Sequence, residues 1–193
     1  MLLAACSAPK IDRSKAPVAG PAPTISLGEY STFKLDNGLS VIVVQNNKLP
    51  RVSYRLTLDR APIFEGQKAG YVSFAGDLMK TGTTNRSKSE IDEAIDFIGG
   101  NLSTFSTGIS GSSLSKHSDA LLEVMSDVLL HPTFPEEELE KARKQALSGL
   151  ASAKTSADQI SGNISNAATY GLSHPYGEMQ TEKTTNAITR DDV

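Results

Sequence analysis

The chain has 193 residues, 38% of them hydrophobic, and its 19 basic and 22 acidic side chains leave a net charge of −3. That length and content suit one main globular domain with a packed core, and the interspersed charges exclude the long basic run that nucleic acid or an anionic membrane surface requires. The single cysteine, Cys6, excludes an internal disulfide, so packing alone must hold the domain.

The first six residues, MLLAAC, set a short Leu-Ala run against Cys6. They resemble the end of a bacterial lipoprotein signal, which implies a lipidated Cys6 and a chain facing the periplasm from the cell envelope. Residues 7–28 are rich in Pro, Ala, Ser and Lys and poor in large apolar side chains, so a disordered tether is expected there. The folded part is expected over 29–193.

Residues 30–34 and 39–45 are β-prone runs on either side of Asp36-Asn37-Gly38. Asn-Gly supplies the positive φ of a tight turn, and a hairpin is predicted. In the next run Val52, Tyr54, Leu56 and Leu58 alternate with polar residues, the pattern of a strand with one face buried. Residues 70–79 read as a mostly apolar helix that Gly82 stops. Ser87 and Glu90 form a capping box for a second helix, with Ile91, Ala94, Ile95 and Ile98 on one face.

Two short strands are predicted at 102–107 and 110–115, followed by a helix that Ser118 caps and that carries Leu121, Leu122, Met125, Val128 and Leu129. Beyond His131-Pro132, Thr133 with Glu136 and Pro135 is expected to open a long polar helix running through Glu140 toward Ala153. A further helix is predicted over 157–170, ending at Gly171. In the final TRDDV, Thr189 reads as an N-cap with Asp192 in the first turn, the opening of an element at which the sequence stops, as in a domain truncated at its C-terminal end. The order lacks the strict strand-helix alternation of a parallel sheet, so the predicted fold is α+β, an antiparallel sheet with helices packed on one face.

His117, His131 and His174 are far apart in sequence, and none has a second histidine three or four residues away, so no local zinc motif is present. No G-x-S-x-G elbow and no Gly-rich phosphate loop occurs. On ordered motifs, however, residues 33–193 resemble the N-terminal domain of the insulinase/pitrilysin metallopeptidases, the family of the mitochondrial processing peptidase. The motifs are KLDNGLSVIVVQNNKLPRVSYRLTL, the helix entering KTGT, HPTFPEEELEKARKQAL, HPYG and NAITRDDV.

Active members carry an inverted zinc motif, H-x-x-E-H, in a context like GLAHFLEHMLFKGT. Laid on GYVSFAGDLMKTGT, with Gly70, Phe74, Gly82 and Thr83 matching, the resemblance puts Ser73 and Asp77 in the places of the two histidines and Gly76 in that of the glutamate. Glu140 takes the place of the third ligand. A hydroxyl and two carboxylates match poorly the nitrogen and sulfur donors that zinc favours, and glycine has no side chain to act as general base. Taken without the family, Asp77 reads as a solvent-facing residue or an acid paired with Lys80 or Arg86, and Glu140 as part of a solvated helix face.

The resemblance therefore implies a non-catalytic, processing-peptidase-like domain with no metal of its own, in which Glu140 is at most a remnant ligand. Such a domain would serve as structural or peptide-holding partner of a homologous catalytic half or subunit that carries zinc. Two alternatives stand beside it. One is the N-terminal half of an active zinc metalloendopeptidase whose catalytic half follows Val193; the other is an envelope scaffold lipoprotein without proteolytic role.

Overall fold

A computed structural model describes Gly20 and residues 29–193. Cys6 and, Gly20 apart, the segment 7–28 expected to be a tether lie outside the described residues. The chain divides between Asn47 and Lys48 into two units.

In the first unit, β1 (Tyr30–Lys34) and β2 (Ser40–Val44) pair antiparallel, from Tyr30↔Val44 to Lys34↔Ser40. The predicted turn joins them. Gly38 takes φ 89°, a value that costs glycine no side-chain clash, and the Leu39 N–H donates to Asn37 Oδ1 at 3.1 Å.

In the second unit, β3 (Arg51–Thr57), β4 (Asn101–Phe105) and β5 (Gly108–Leu114) form an antiparallel sheet in the order β3-β5-β4. Alternation along the strands turns Tyr54, Leu56, Leu102 and Ile109 to one face. There they meet Ile91, Ile95 and Ile98 from α2 (Lys88–Phe97) and its C-terminal end, and Leu121, Val124, Met125 and Val128 from α3 (Ser118–Leu130). A second cluster joins Phe74 and Leu78 of α1 (Tyr71–Leu78), Leu139 of α4 (Glu136–Ala153) and Ile188. The last helices are α5 (Ala157–Tyr170) and α6 (Glu182–Ala187).

The predicted α+β architecture, its capping box at Ser87 and Glu90 and the span of α5 are all found. Three local expectations are corrected. Ser118 is the first residue of α3 rather than its cap, because its hydroxyl shares a 2.6 Å hydrogen bond with that of Tyr54, tying the helix to β3. Thr133 does not open α4, whose N-cap is Pro135. The residue before a proline is driven out of helical geometry, and Phe134 takes φ 45°. On α3 it is Val124, not Leu122, that is buried beside Leu121. α6, six residues long, lies outside the predicted elements; Thr181 caps it, its hydroxyl accepting the Thr184 N–H.

Candidate functional site

The start of α1 is fixed by two carboxylates from outside the helix. Glu65 Oε2 accepts the N–H groups of Gly70 and Val72 at 2.8 and 3.1 Å. The Glu178 carboxylate in turn accepts those of Glu65 and Gly66 at 2.9 to 3.1 Å. Carboxylates at the N-terminal end satisfy free donors and oppose the positive end of the helix dipole. The helix then buries Phe74 and Leu78, while Ser73 and Asp77, one turn apart, are exposed on a shared face.

Gly76 is buried, and its environment explains the glycine. A Cβ at this position would fall 2.4 Å from the Ser106 nitrogen and 2.6 Å from the Phe105 carbonyl carbon, both backbone atoms of the turn joining β4 to β5. Helix and turn touch backbone to backbone. The place where the family resemblance puts a glutamate has no room for any side chain.

Of the two readings of Asp77, the structure shows the solvent-facing one. Among the described residues it forms no ion pair with Lys80 or Arg86, since the Arg86 guanidinium is committed to Asp127 at 2.8 Å and Glu123 at 2.6 Å. Glu140 is half-exposed and accepts the Arg143 Nε–H at 3.0 Å. Arg143 also donates to the carbonyls of Thr185 and, at 2.7 Å, Ile188. Glu140 thus helps to hold an arginine that clamps the end of α6 to α4. Among the described residues, no three His, Cys, Asp or Glu side chains converge closely enough to hold a metal ion. A hydroxyl, an exposed carboxylate and a carboxylate shared with arginine do not fit zinc.

The histidines are dispersed. His117 precedes α3, and His174 stacks on Tyr170 with ring centroids 5.4 Å apart, within a trio that Tyr176 completes. His131 belongs to a polar cluster that sequence reasoning missed. Its Nδ1 lies 3.2 Å from Oδ1 of Asp127, which is buried on α3. Asp127 also accepts from Thr83 Oγ1 at 2.8 Å, Asn85 Nδ2 at 2.6 Å and Arg86 Nη1 at 2.8 Å. Burial alone raises the Asp127 carboxyl, but the hydrogen bonds from Asn85, Arg86 and Thr83 outweigh it and hold the group at about 2, against an ordinary 3.8. The segment after α1 is in this way nailed to α3 and, through the Thr133 N–H to Gly82 carbonyl bond of 3.0 Å, to the approach of α4.

An antiparallel sheet backed by helices on one face, with a short helix crossing the β4–β5 turn, defines an α+β domain. A match over residues 41–181 to the model of insulinase, peptidase family M16, goes further: the chain belongs to that family. An uncharacterized zinc protease, YmxG, of Bacillus subtilis is 26% identical over 167 residues, 83% of this chain and 41% of its own. The mitochondrial-processing peptidase subunit beta of Rattus norvegicus is 23% identical over 164 residues, 82% of this chain and 33% of its own. Among solved structures, the peptidase M16 inactive domain from Pseudomonas fluorescens superposes with a TM-score of 0.76 at 21% identity, over 85% of this chain and 42% of that one. The chain spans about two fifths or less of the length of these relatives.

Proposed function

We propose that this is a non-catalytic insulinase-family domain that acts as structural or peptide-holding partner of a zinc-bearing half or subunit. Gly76 carries the reading. Loss of a general base costs typically 100- to 10,000-fold in rate, and here the base is excluded by the packing of α1 on the β4–β5 turn as well as absent from the sequence. The relative from rat is by its name one subunit of a larger peptidase, and the Pseudomonas fluorescens domain is described as inactive; both support partnership. Purified full-length protein is expected to hold well under one zinc per chain and to leave unstructured peptides uncut, with a metallopeptidase homologue recovered alongside it from cells. Stoichiometric zinc with chelator-sensitive cleavage would overturn the proposal.

The proposal includes a lipid tether at Cys6 on the periplasmic side of a bacterial envelope, supported by the sequence MLLAAC. Intact-mass measurement of protein taken from membranes is expected to show an acylated N-terminal cysteine, and Cys6→Ser to release the protein into the soluble fraction. An unmodified Cys6 in membrane-derived protein would remove the tether.

A further inference from the structure

We propose that the face of the β3-β5-β4 sheet turned away from α2 and α3 binds an extended acidic peptide, with Arg51 and Arg55 as its anchors. The inference rests on the peptide-holding reading above and specifies what is held. None of the residues of β3, β4 and β5 is Asp or Glu, and the two cations among them, Arg51 and Arg55, are exposed on this one face. In a chain of net charge −3 such a face is a local reversal.

Neither guanidinium has a carboxylate partner among the described residues. Among the described residues, Arg51 Nη2 reaches only the Ser112 hydroxyl, at a long 3.4 Å. The Arg55 guanidinium lies 4.7 Å from the centroid of the Phe105 ring, which positions it while leaving its fork of N–H donors unsatisfied by any anion. Between Phe105 at one end of this face and Leu114 at the other, Ser110 and Ser103 beside Arg55 in the strand register bring only small hydroxyls, which leaves the middle of the sheet open to a chain laid along β3.

Spacing completes the match. Arg51 and Arg55 are four residues apart on one strand, about 13 Å at roughly 3.3 Å per residue. A peptide extended along β3 repeats that distance between residues i and i+4, which point to the same side. Glutamates at those positions meet both guanidinium groups, each in the planar two-point geometry that arginine and carboxylate favour. Occupant and surface are then complementary in charge, length and period.

The test is fluorescence anisotropy on the full chain with a fluorescein-labelled ten-residue peptide bearing two glutamates at i and i+4 in an Ala/Thr background. The expected result is saturable binding that weakens at least tenfold in R51S/R55S, weakens by less in R51K/R55K, which keeps the charge but not the two-point geometry, and is lost when glutamate is replaced by lysine. Raising salt to about 0.5 M weakens it, as a solvent-screened charge contact must. Both arginines are exposed, so the variants retain the wild-type thermal midpoint. Independently of any variant, moving the second glutamate from i+4 to i+3 turns it to the opposite side and should weaken binding about tenfold. Equal binding of acidic and basic peptides, indifference to R51S/R55S or to the glutamate spacing, or no binding at all overturns the proposal. The partnership reading fails separately, through the absence of any co-purifying metallopeptidase, and that result leaves peptide binding on this face untouched.

Discussion

Gly76→Ala is expected to destabilise the protein by about 3 kcal/mol, although alanine is the better helix former by up to about 1 kcal/mol. The added methyl lands 2.4 Å from one backbone atom and 2.6 Å from the next, in the turn joining β4 to β5. A flexible side chain would yield to it, but these atoms are held by the β4–β5 ladder, whose last pair is Phe105↔Gly108. Either α1 lifts off the sheet, uncovering Phe74 and Leu78, or the hairpin loses its register. At about 2 to 4 °C per kcal/mol for a chain of this size, the thermal midpoint should fall by roughly 6 to 12 °C.

The comparison that isolates this effect uses the neighbouring positions. Ser73→His with Asp77→His places imidazoles on the exposed face of α1 and should change stability by no more than about 1 kcal/mol. Adding Gly76→Glu to restore the full H-x-x-E-H pattern is expected to collapse solubility rather than to create a peptidase. A Gly76→Ala variant as stable as wild type would sink the steric argument, and with it the claim that the site is closed by packing.

What the sequence reveals about this molecule follows the reach of each interaction. The Asn-Gly turn of β1–β2, the alternation along β3 and the Ser87–Glu90 box are settled by residues within a few positions of one another, and all are legible. Pairing of Asp127 with Thr83, Asn85 and Arg86 crosses 41 to 44 positions, and the clamp of Arg143 on the Thr185 and Ile188 carbonyls crosses 42 and 45. No local period announces such contacts. Burying Asp127 also explains why the apolar stripe of α3 runs through Val124 and leaves Leu122 exposed: the helix turns its carboxylate under the 83–86 turn, and the stripe rotates with it.

At Gly76 the sequence carries a packing signal beside the missing glutamate. A lone glycine inside an apolar helix costs about 1 kcal/mol against alanine and points to close backbone approach. Read only as a missing glutamate, it describes a loss; read also as a packing requirement, it describes why that loss would be hard to reverse. At the start of α4, Thr133 and Glu136 have the spacing of a capping box, yet Pro135 between them decides the boundary through the backbone of Phe134.

Asp127→Ala should have the other large effect, a loss on the order of 3 to 5 kcal/mol, because it leaves a partly buried guanidinium and two polar side chains without their acceptor. Glu123, exposed at the surface, offers Arg86 a second contact but cannot reach the place of the buried carboxylate. Asn85→Ala removes one donor and spares the charge pair, so it should cost nearer 1 kcal/mol; Thr83→Val also takes away the acceptor of the Asn85 and Arg86 N–H groups, at 3.1 and 2.8 Å, and should cost more than Asn85→Ala. Urea unfolding of the three variants separates these cases, and a cost below 1 kcal/mol for Asp127→Ala would show that the cluster does not hold the 83–86 turn.

The same carboxylate sets a pH signature. Its folded value, about 2, lies below the ordinary 3.8, so the stabilisation is present in full above pH 4 to 5 and is lost as the pH falls through 3.8 toward 2. The difference amounts to about 2 kcal/mol, at 1.36 kcal/mol per pH unit. Asp127→Asn cannot titrate there. Wild type should therefore lose about 2 kcal/mol more than Asp127→Asn on going from pH 5 to pH 2, and parallel stability curves for the two proteins would place the acid sensitivity in other carboxylates.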